Sequence, residues 1–411
     1  MIDIKYLRDN PDLVVKASQA KNRTIDIKVI LDLDNQRRAL QAEVDGLRQG
    51  RGDKLVSEAD RAEAKAKKEV LKTKEQELKQ LTDQLNDILL SLPNPARPDV
   101  KVGKTENDNE VLRQVGSKPD FNFTVKDYLT LAEQHDLIDM ARAAKVSGSR
   151  FGYLKNEAVL LEFALVQYGL SVVLKNGFVP VVPPVLISEK AMQAMGYLEN
   201  GGEEETYHLK EQQLYLVGTS EQSIGPMHMD EVLELTDLPK RYAGFSSCFR
   251  SEAGSYGKDT KGILRVHQFD KLEMVVFTKP EDSDKEHDKL LVIEEELMQG
   301  LKLPYQVIKM CTADLGDPAA RKYDIETWIP SESKYRETHS CSTTTDFQAR
   351  RLNIRYKTAE GKMDFVHMLN GTVFAIGRTL IAILENYQQA DGSIIIPKVL
   401  QPYMGGLAKI G

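Results

Sequence analysis

Between Pro11 and Pro93 the chain has no proline, and along much of that stretch apolar residues return at alternating steps of three and four. Ile30, Leu33, Leu40, Val44 and Leu47 form one seam in which only Arg37 is polar. Leu71, Leu78, Leu81, Leu85, Ile88 and Leu92 form a second in which only Lys74 departs. A period of 3.5 keeps one stripe of a helix against a neighbour along its whole length, so the spacing predicts two helices packed lengthwise. Gly50-Arg51-Gly52-Asp53 breaks the first helix, and Ser57-Glu58-Ala59-Asp60 reads as a capping box that opens the second. So short a connection makes the pair antiparallel. A second helix of about 36 residues spans roughly 54 Å, too long for a domain core, so residues 27–92 are expected to project as an arm. Two uses fit an arm: dimerisation through a coiled coil, or contact with phosphate at the tip. Residues 48–68 hold seven Lys/Arg against four acids, in a chain whose 55 Lys+Arg and 62 Asp+Glu give a net charge of −7. That local excess suits phosphate, although solvated helix faces carry similar runs.

The remainder reads differently. Residues 1–26 form a helical lead-in, and Leu92-Pro93-Asn94-Pro95 with Pro98 begins an extended linker to about residue 120. Thereafter the pattern predicts helices over 152–175 and 373–389. Strands are predicted at 178–182 and near 213–218, 242–250, 266–277, 306–311, 325–329 and 363–369. Many strands with few intervening helices predict an α+β domain built on a mostly antiparallel sheet. The division expected is an N-terminal domain over 1–110 and a second over 111–411, with a disordered or loosely packed tail after Met404. Three cysteines (Cys248, Cys311, Cys341) without a CxxC pair exclude a disulfide scaffold. No apolar run reaches membrane-span length, and the N-terminus lacks the apolar segment of an export signal, so a cytoplasmic protein is expected. There is no HExxH, no GxGxxG opening a helix, and no P-loop, since Pro98 stands where the first glycine before Gly103-Lys104-Thr105 belongs.

Residues 245–277, FSSCFRSEAGSYGKDTKGILRVHQFDKLEMVVF, read as a strand, a Gly-rich polar loop and a return strand. Side-chain alternation puts Arg250 with Glu252 on one face, and Phe269, Lys271 and Glu273 on one face of the return strand. Phe269 and Glu273 then lie about 13 Å apart, a spacing for a ligand with one stacking end and one hydrogen-bonding end. An ordinary charged hairpin fits the same pattern. Arg378, within an otherwise apolar helix, is a costly buried charge unless an anion partners it.

FRSEAG with HQFDKLE resembles motif 2 of the class II aminoacyl-tRNA synthetases, NGTVFAIGRTLIAILENYQ (370–388) resembles motif 3, and Gly177–Leu186 with Pro183 or Pro184 is similar to motif 1. The arm, LPNPARPDVKVGKTENDNEVLRQVG (92–116), Thr219-Ser220-Glu221 and DFQARR (346–351) resemble the seryl-tRNA synthetases in particular, so that the likeness covers essentially the whole chain. It implies the class II fold with a coiled-coil arm. The implied activity forms seryl-adenylate from L-serine and ATP, then charges tRNA(Ser), with tRNA(Sec) a second acceptor in a host that has it. It further implies a homodimer built round motif 1, no membrane association, and an arm that reaches from one subunit to the tRNA on the other. A synthetase-like enzyme loading a carrier protein would lack that arm, and a non-catalytic scaffold would have no need of the motif residues.

By the same resemblance Arg250 and Arg378 are the catalytic cations. Arg250 holds the α-phosphate and the serine carboxylate. Glu252 bonds the adenine amino group, Phe269 stacks on one adenine face and Arg378 on the other, and Ser251, Thr338 and His339 complete the ATP site. Glu337 and Ser340 match the positions that bind Mg²⁺. Thr338 and His339 stand where the family commonly has an apolar residue and a serine. No zinc is expected, since His339 beside Cys341 makes a poor zinc pair. Glu273 and Thr372 are implied to meet the serine hydroxyl, and Thr219, Ser220 and Glu221 to surround its amino group. Ser220 replaces a frequent Ala and Thr372 a frequent Ser.

Overall fold

The computed structural model describes residues 1–49, 58–253, 259 and 261–411. Gly50-Arg51-Gly52-Asp53, Ser57 of the expected capping box and the centre of the basic tip lie outside them. The chain forms two compact units, Met1–Pro95 and Ala96–Gly411.

In the first unit the two seams become α1 (Ile27–Gln49) and α2 (Glu58–Ser91). Every seam residue is buried or half-buried. Near the far end Arg48 pairs with Glu75 at 2.9 Å and Lys74 with Glu43. At the near end Ile30 shares a core with Leu85, Leu89 and Leu92. Early residues of α1 thus meet late residues of α2, which is antiparallel packing. With 34 residues, α2 is about 51 Å long. The two polar seam positions have partners of their own: Lys74 in Glu43, and Arg37 in the fully buried Asp34 at 2.8 Å, which Arg8 approaches at 3.3 Å. Leu7 and Val14, from the short helices Ile4–Asp9 and Pro11–Ala20, close the core at the hairpin's base.

The second unit is built on eight strands: β1 (Glu110–Val115), β2 (Val179–Val181), β3 (Lys240–Phe249), β4 (Gln268–Thr278), β5 (Tyr305–Lys309), β6 (Arg321–Ile329), β7 (Lys334–Thr345) and β8 (His367–Ala375). Their order across the sheet is β1-β5-β6-β7-β8-β4-β3-β2, antiparallel at every junction except β2–β3. One sheet face is apolar, with Leu272, Met274, Val276, Ile325, Leu369 and Val373 buried among side chains of α3 (Glu157–Lys175), α4 (Ser283–Leu301) and α5 (Ile376–Asn386). α3 is long and apolar enough to cross a membrane by length and composition alone. Here Leu161, Leu165 and Val173 are fully buried in this core.

Several expectations change. β7, central and twelve residues long, is missing from the strands read from the sequence, because its Ser, Thr and Glu residues hide the apolar alternation that marks strands. The stretch to residue 120 is no free linker. Arg97 donates its backbone N–H to the Ala320 carbonyl at 2.8 Å, Lys309 pairs with Asp99 at 2.6 Å, and β1 forms the sheet edge against β5. The division therefore falls after Pro95 rather than at residue 110. The tail is packed as well, with Lys409–Ile410 pairing Ile394–Ile395 and Ile410 buried.

Candidate active site

The opposite sheet face carries a cavity of about 510 Å³. Its walls include Thr219, Glu221, Arg250, Glu252, Phe269, Glu273, Glu337, Thr338, Ser340, Thr372 and Arg378, so the fold gathers eleven of the fourteen expected residues from six separate segments.

Two irregularities of register set this face. Opposite β6, Ile325 pairs His339 and Glu326 pairs Glu337, so Thr338 is an extra residue in β7. Strict alternation would turn Glu337 and Ser340, three apart, to opposite faces. The bulge re-aims the chain, so Glu337, Ser340, Ser342 and Thr344 all line the cavity. Opposite β4, Leu272 pairs Phe374 and Glu273 pairs Thr372, which leaves Val373 extra in β8. Glu273 and Thr372 are thereby direct cross-strand neighbours.

Phe269, Lys271 and Glu273 share the cavity face of β4, as alternation predicts. Lys271 is a wall residue the sequence reading did not single out as functional; its Nζ lies 2.8 Å from Glu273 Oε2, and both side chains are buried. Arg250 and Glu252 reach the cavity from beyond the end of β3 rather than from a strand face. Glu252 takes a left-handed backbone, φ +55°, and its carboxylate accepts from Arg265 Nη1 at 2.7 Å. The Arg250 guanidinium donates to the Gly218 carbonyl at 3.2 Å and lies 5.2 Å from the centre of the Phe269 ring.

Across the cavity, Arg378 donates to the Glu337 carbonyl oxygen at 3.0 Å and lies 3.3 Å from its carboxylate. This is the anionic partner that an arginine in an apolar helix demands. Burial by the surrounding walls pushes the Glu337 carboxyl up, but Arg378, Lys322 and Arg250 together outweigh it and hold the group well below the usual carboxylate range. Glu337 thus stays an anion with 46% of its side-chain surface open to the cavity. Asp324, paired in register with Ser340, goes the other way: burial raises it, against the pull of Lys322 at 3.4 Å. Lys322 and Asp324 lie far from every motif, and only the pairing of β6 with β7 reveals them.

Three expected residues lie elsewhere. The Ser220 hydroxyl is buried and donates to the Gly244 carbonyl at 3.1 Å. Ser251 turns to the loop carrying Glu204 and Glu205. His339 falls on the helix-covered face because the bulge precedes it. Its Nε2 donates to the Val373 carbonyl at 3.0 Å, its Nδ1 accepts from Thr338 at 2.9 Å, and burial lowers it to about 4, so it is a neutral core histidine. Thr338 touches the cavity, though its hydroxyl bonds Thr327 at 2.7 Å.

As a chemical device, the cavity joins cations that grip phosphate in fixed forks to a stacking ring and a buried carboxylate–hydroxyl pair. Among the described residues there is no cluster of three or more His, Cys, Asp or Glu arranged for a metal. Glu337 and Ser340 still fit Mg²⁺, which takes one or two protein oxygens and completes its shell with water and substrate phosphates.

Residues 1–96 match the family model of the seryl-tRNA synthetase N-terminal domain, and residues 205–387 that of the tRNA synthetase class II core domain (G, H, P, S and T). A serine–tRNA ligase of Dictyoglomus turgidum is 45% identical, with 98% of each chain covered. Seryl-tRNA synthetase from Pyrococcus horikoshii, solved in complex with ATP, superposes with a TM-score of 0.92 at 38% identity, covering 100% of this chain and 99% of that one. The cytoplasmic serine–tRNA ligase of Naegleria fowleri, solved with AMP, gives a TM-score of 0.89 at 32% identity over 100% and 98%. With both units matched and the likeness running the full length, this chain belongs to the seryl-tRNA synthetase family.

Proposed function

We propose that the protein is a serine–tRNA ligase. L-serine and ATP give seryl-adenylate and pyrophosphate, and serine then passes to the terminal ribose of tRNA(Ser), or of tRNA(Sec) where a host supplies it. The observation that carries this reading is the single cavity in which Arg250 overlies Phe269, Arg378 faces Glu337, and Glu273 neighbours Thr372.

The first step needs no general base, because the serine carboxylate is already an anion near neutral pH. One carboxylate oxygen forms a bond to the α-phosphorus as the bond to pyrophosphate breaks. The work left to the protein is alignment and stabilisation of spreading negative charge. Arg250 grips the α-phosphate and serine carboxylate, while adenine lies between Phe269 and Arg378, its amino group toward Glu252. Glu337 and Ser340 would hold Mg²⁺, which when bound neutralises charge on the phosphate oxygens. Glu273 and Thr372 receive the serine hydroxyl, and Thr219 and Glu221 its ammonium. A site with buried hydroxyl partners rejects alanine by about 10⁴–10⁵, since those partners would be left unpaired.

The hairpin unit is assigned to tRNA binding, with the arm of one subunit reaching the tRNA held by the other. A homodimer fits Leu160, Phe163 and Leu174 on α3 and Val179 and Val182 at the β2 edge, all apolar and exposed. A tRNA substrate is compatible with the expected cytoplasmic location. Serine-dependent ATP–pyrophosphate exchange, followed by transfer to tRNA(Ser), tests the assignment. Glu273→Ala is expected to abolish the exchange; wild-type exchange in that variant would remove Glu273 from the site.

A further inference from the structure

Glu221 is a buried carboxylate in the cavity wall, and both its oxygens are held by side chains from distant parts of the chain. Tyr197, just past the helix Glu189–Met195, donates its hydroxyl to Oε2 at 3.0 Å. Gln348, on the helix Phe347–Leu352, donates Nε2 to Oε1 at 3.0 Å. The amide orientation follows from its neighbours. On the Nε2 side lie Glu221 Oε1 and, at 3.2 Å, the Met195 carbonyl, both acceptors. The Thr344 hydroxyl stands 3.0 Å from Oε1. A flipped amide would set oxygen against oxygen twice.

We infer that Tyr197 and Gln348 are positioning residues for amino-acid recognition: they clamp the Glu221 carboxylate so that its remaining lone pairs meet the primary ammonium of the incoming amino acid. The inference rests on the serine-site reading above and extends it to two residues outside the expected set. A carboxylate on a short helix, Glu221–Ile224, has rotamer freedom to lose, and two fixed donors remove that freedom before substrate arrives. They also favour its charged form. Burial pushes the Glu221 carboxyl up and Glu273 adds to this, whereas the bonds from Gln348 and Tyr197 and the charge of Lys271 oppose it. Arg250 lies within electrostatic reach of the Tyr197 hydroxyl. An amino acid's ammonium needs the anion, so losing either donor weakens binding and raises the pH at which Glu221 loses its proton-free form.

The test is pyrophosphate exchange across pH for full-length Tyr197→Phe and Gln348→Met, with Glu221→Gln as reference. KM for serine is expected to rise at least about tenfold in each variant, with KM for ATP within about twofold of wild type. The acid limb of kcat/KM for serine is expected to move to higher pH in Tyr197→Phe and Gln348→Met, a shift that loosened packing alone would not produce. Should Gln348→Met fail to fold, Tyr197→Phe carries the test, because it removes only one oxygen. An unchanged serine KM and acid limb in folded variants overturns the proposal, provided Glu221→Gln is impaired. An unimpaired Glu221→Gln overturns the serine-site reading and the proposal with it.

Discussion

The hairpin unit and the sheet unit use charge in opposite ways. Among the described residues of Met1–Pro95, Asp34 is the one buried carboxylate, enclosed by Arg8 and Arg37, while Arg48–Glu75 sits in the open beside a narrow apolar seam. Such a seam fixes length and direction and leaves most side chains to solvent. In Ala96–Gly411 a broad apolar core holds one sheet face, and on the other Glu221, Lys271 and Glu273 are buried together in the cavity wall, with Asp324 buried beside Lys322. Burying that many ionisable groups lowers stability unless each is partnered, and it is tolerable here because the three-helix layer supplies the folding energy separately. The lesson is a division of labour: one unit spans distance, the other holds charges where reacting groups will be.

The sharpest way to break this contrast is to delete residues 30–90 and join the ends by a short linker. Serine-dependent pyrophosphate exchange is expected to stay within a few-fold of wild type, because no cavity residue comes from the deleted segment. Charging of tRNA(Ser) should fall by about 10³-fold or more, since many phosphate contacts would be lost together. Parallel measurement of the two activities decides the matter. An equal loss of both would make the hairpin a folding element of the whole chain.

The same contrast governed what could be read from sequence. The hairpin was legible because a 3.5-residue period is a local signal, and Arg37 and Lys74 interrupted it without erasing it. Most β-strands showed through their Val, Ile and Phe residues. β7 did not, because the residues that serve the cavity, Glu337, Ser340 and Ser342, are those that hide a strand. The bulge at Thr338 was likewise invisible: the resemblance grouped Glu337, Thr338, His339 and Ser340, and register alone separates His339 from the others. Lys322 and Tyr197 reach the cavity through pairings across long stretches of chain, which no local pattern records, and Gln348 lies within DFQARR, where the resemblance gave it no role of its own.

Acid sharpens the comparison next. All seven histidines lie beyond residue 130, so the hairpin unit has none. His287 is fully buried on α4, with Nε2 donating to the Cys341 carbonyl at 3.1 Å and Nδ1 accepting from Arg321 at 3.2 Å. Burial and then Arg321 lower it to about 3. The folded pKa is below the unfolded value of about 6.5, so the unfolded chain takes up the proton first. The stabilisation is complete above pH 6.5 and declines as pH falls toward 3. By pH 5 the loss is about 2 kcal/mol from this group. Unfolding followed at pH 7 and pH 5, with hydrogen exchange to separate the units, should show this decline in the sheet unit. His287→Gln, which keeps a donor for Cys341, should flatten it. An identical pH slope in the variant would assign the acid lability to other groups.

The smallest effect expected is at the rim of the hairpin. Arg48 and Glu75 bond at 2.9 Å, but about half of the Arg48 side chain and 41% of the Glu75 side chain are exposed. Water screens such a pair, and ordering two long side chains offsets part of its attraction, so Glu75→Gln should cost about 0.2–1 kcal/mol. Raising salt should shrink even that difference, because the interaction is screened over about 10 Å at 0.1 M. Comparative denaturation of wild type and Glu75→Gln at low and high salt measures both quantities. A loss of several kcal/mol, insensitive to salt, would mean that the arm's rim is built like the charged cavity. The two units would then no longer differ in how they use charge.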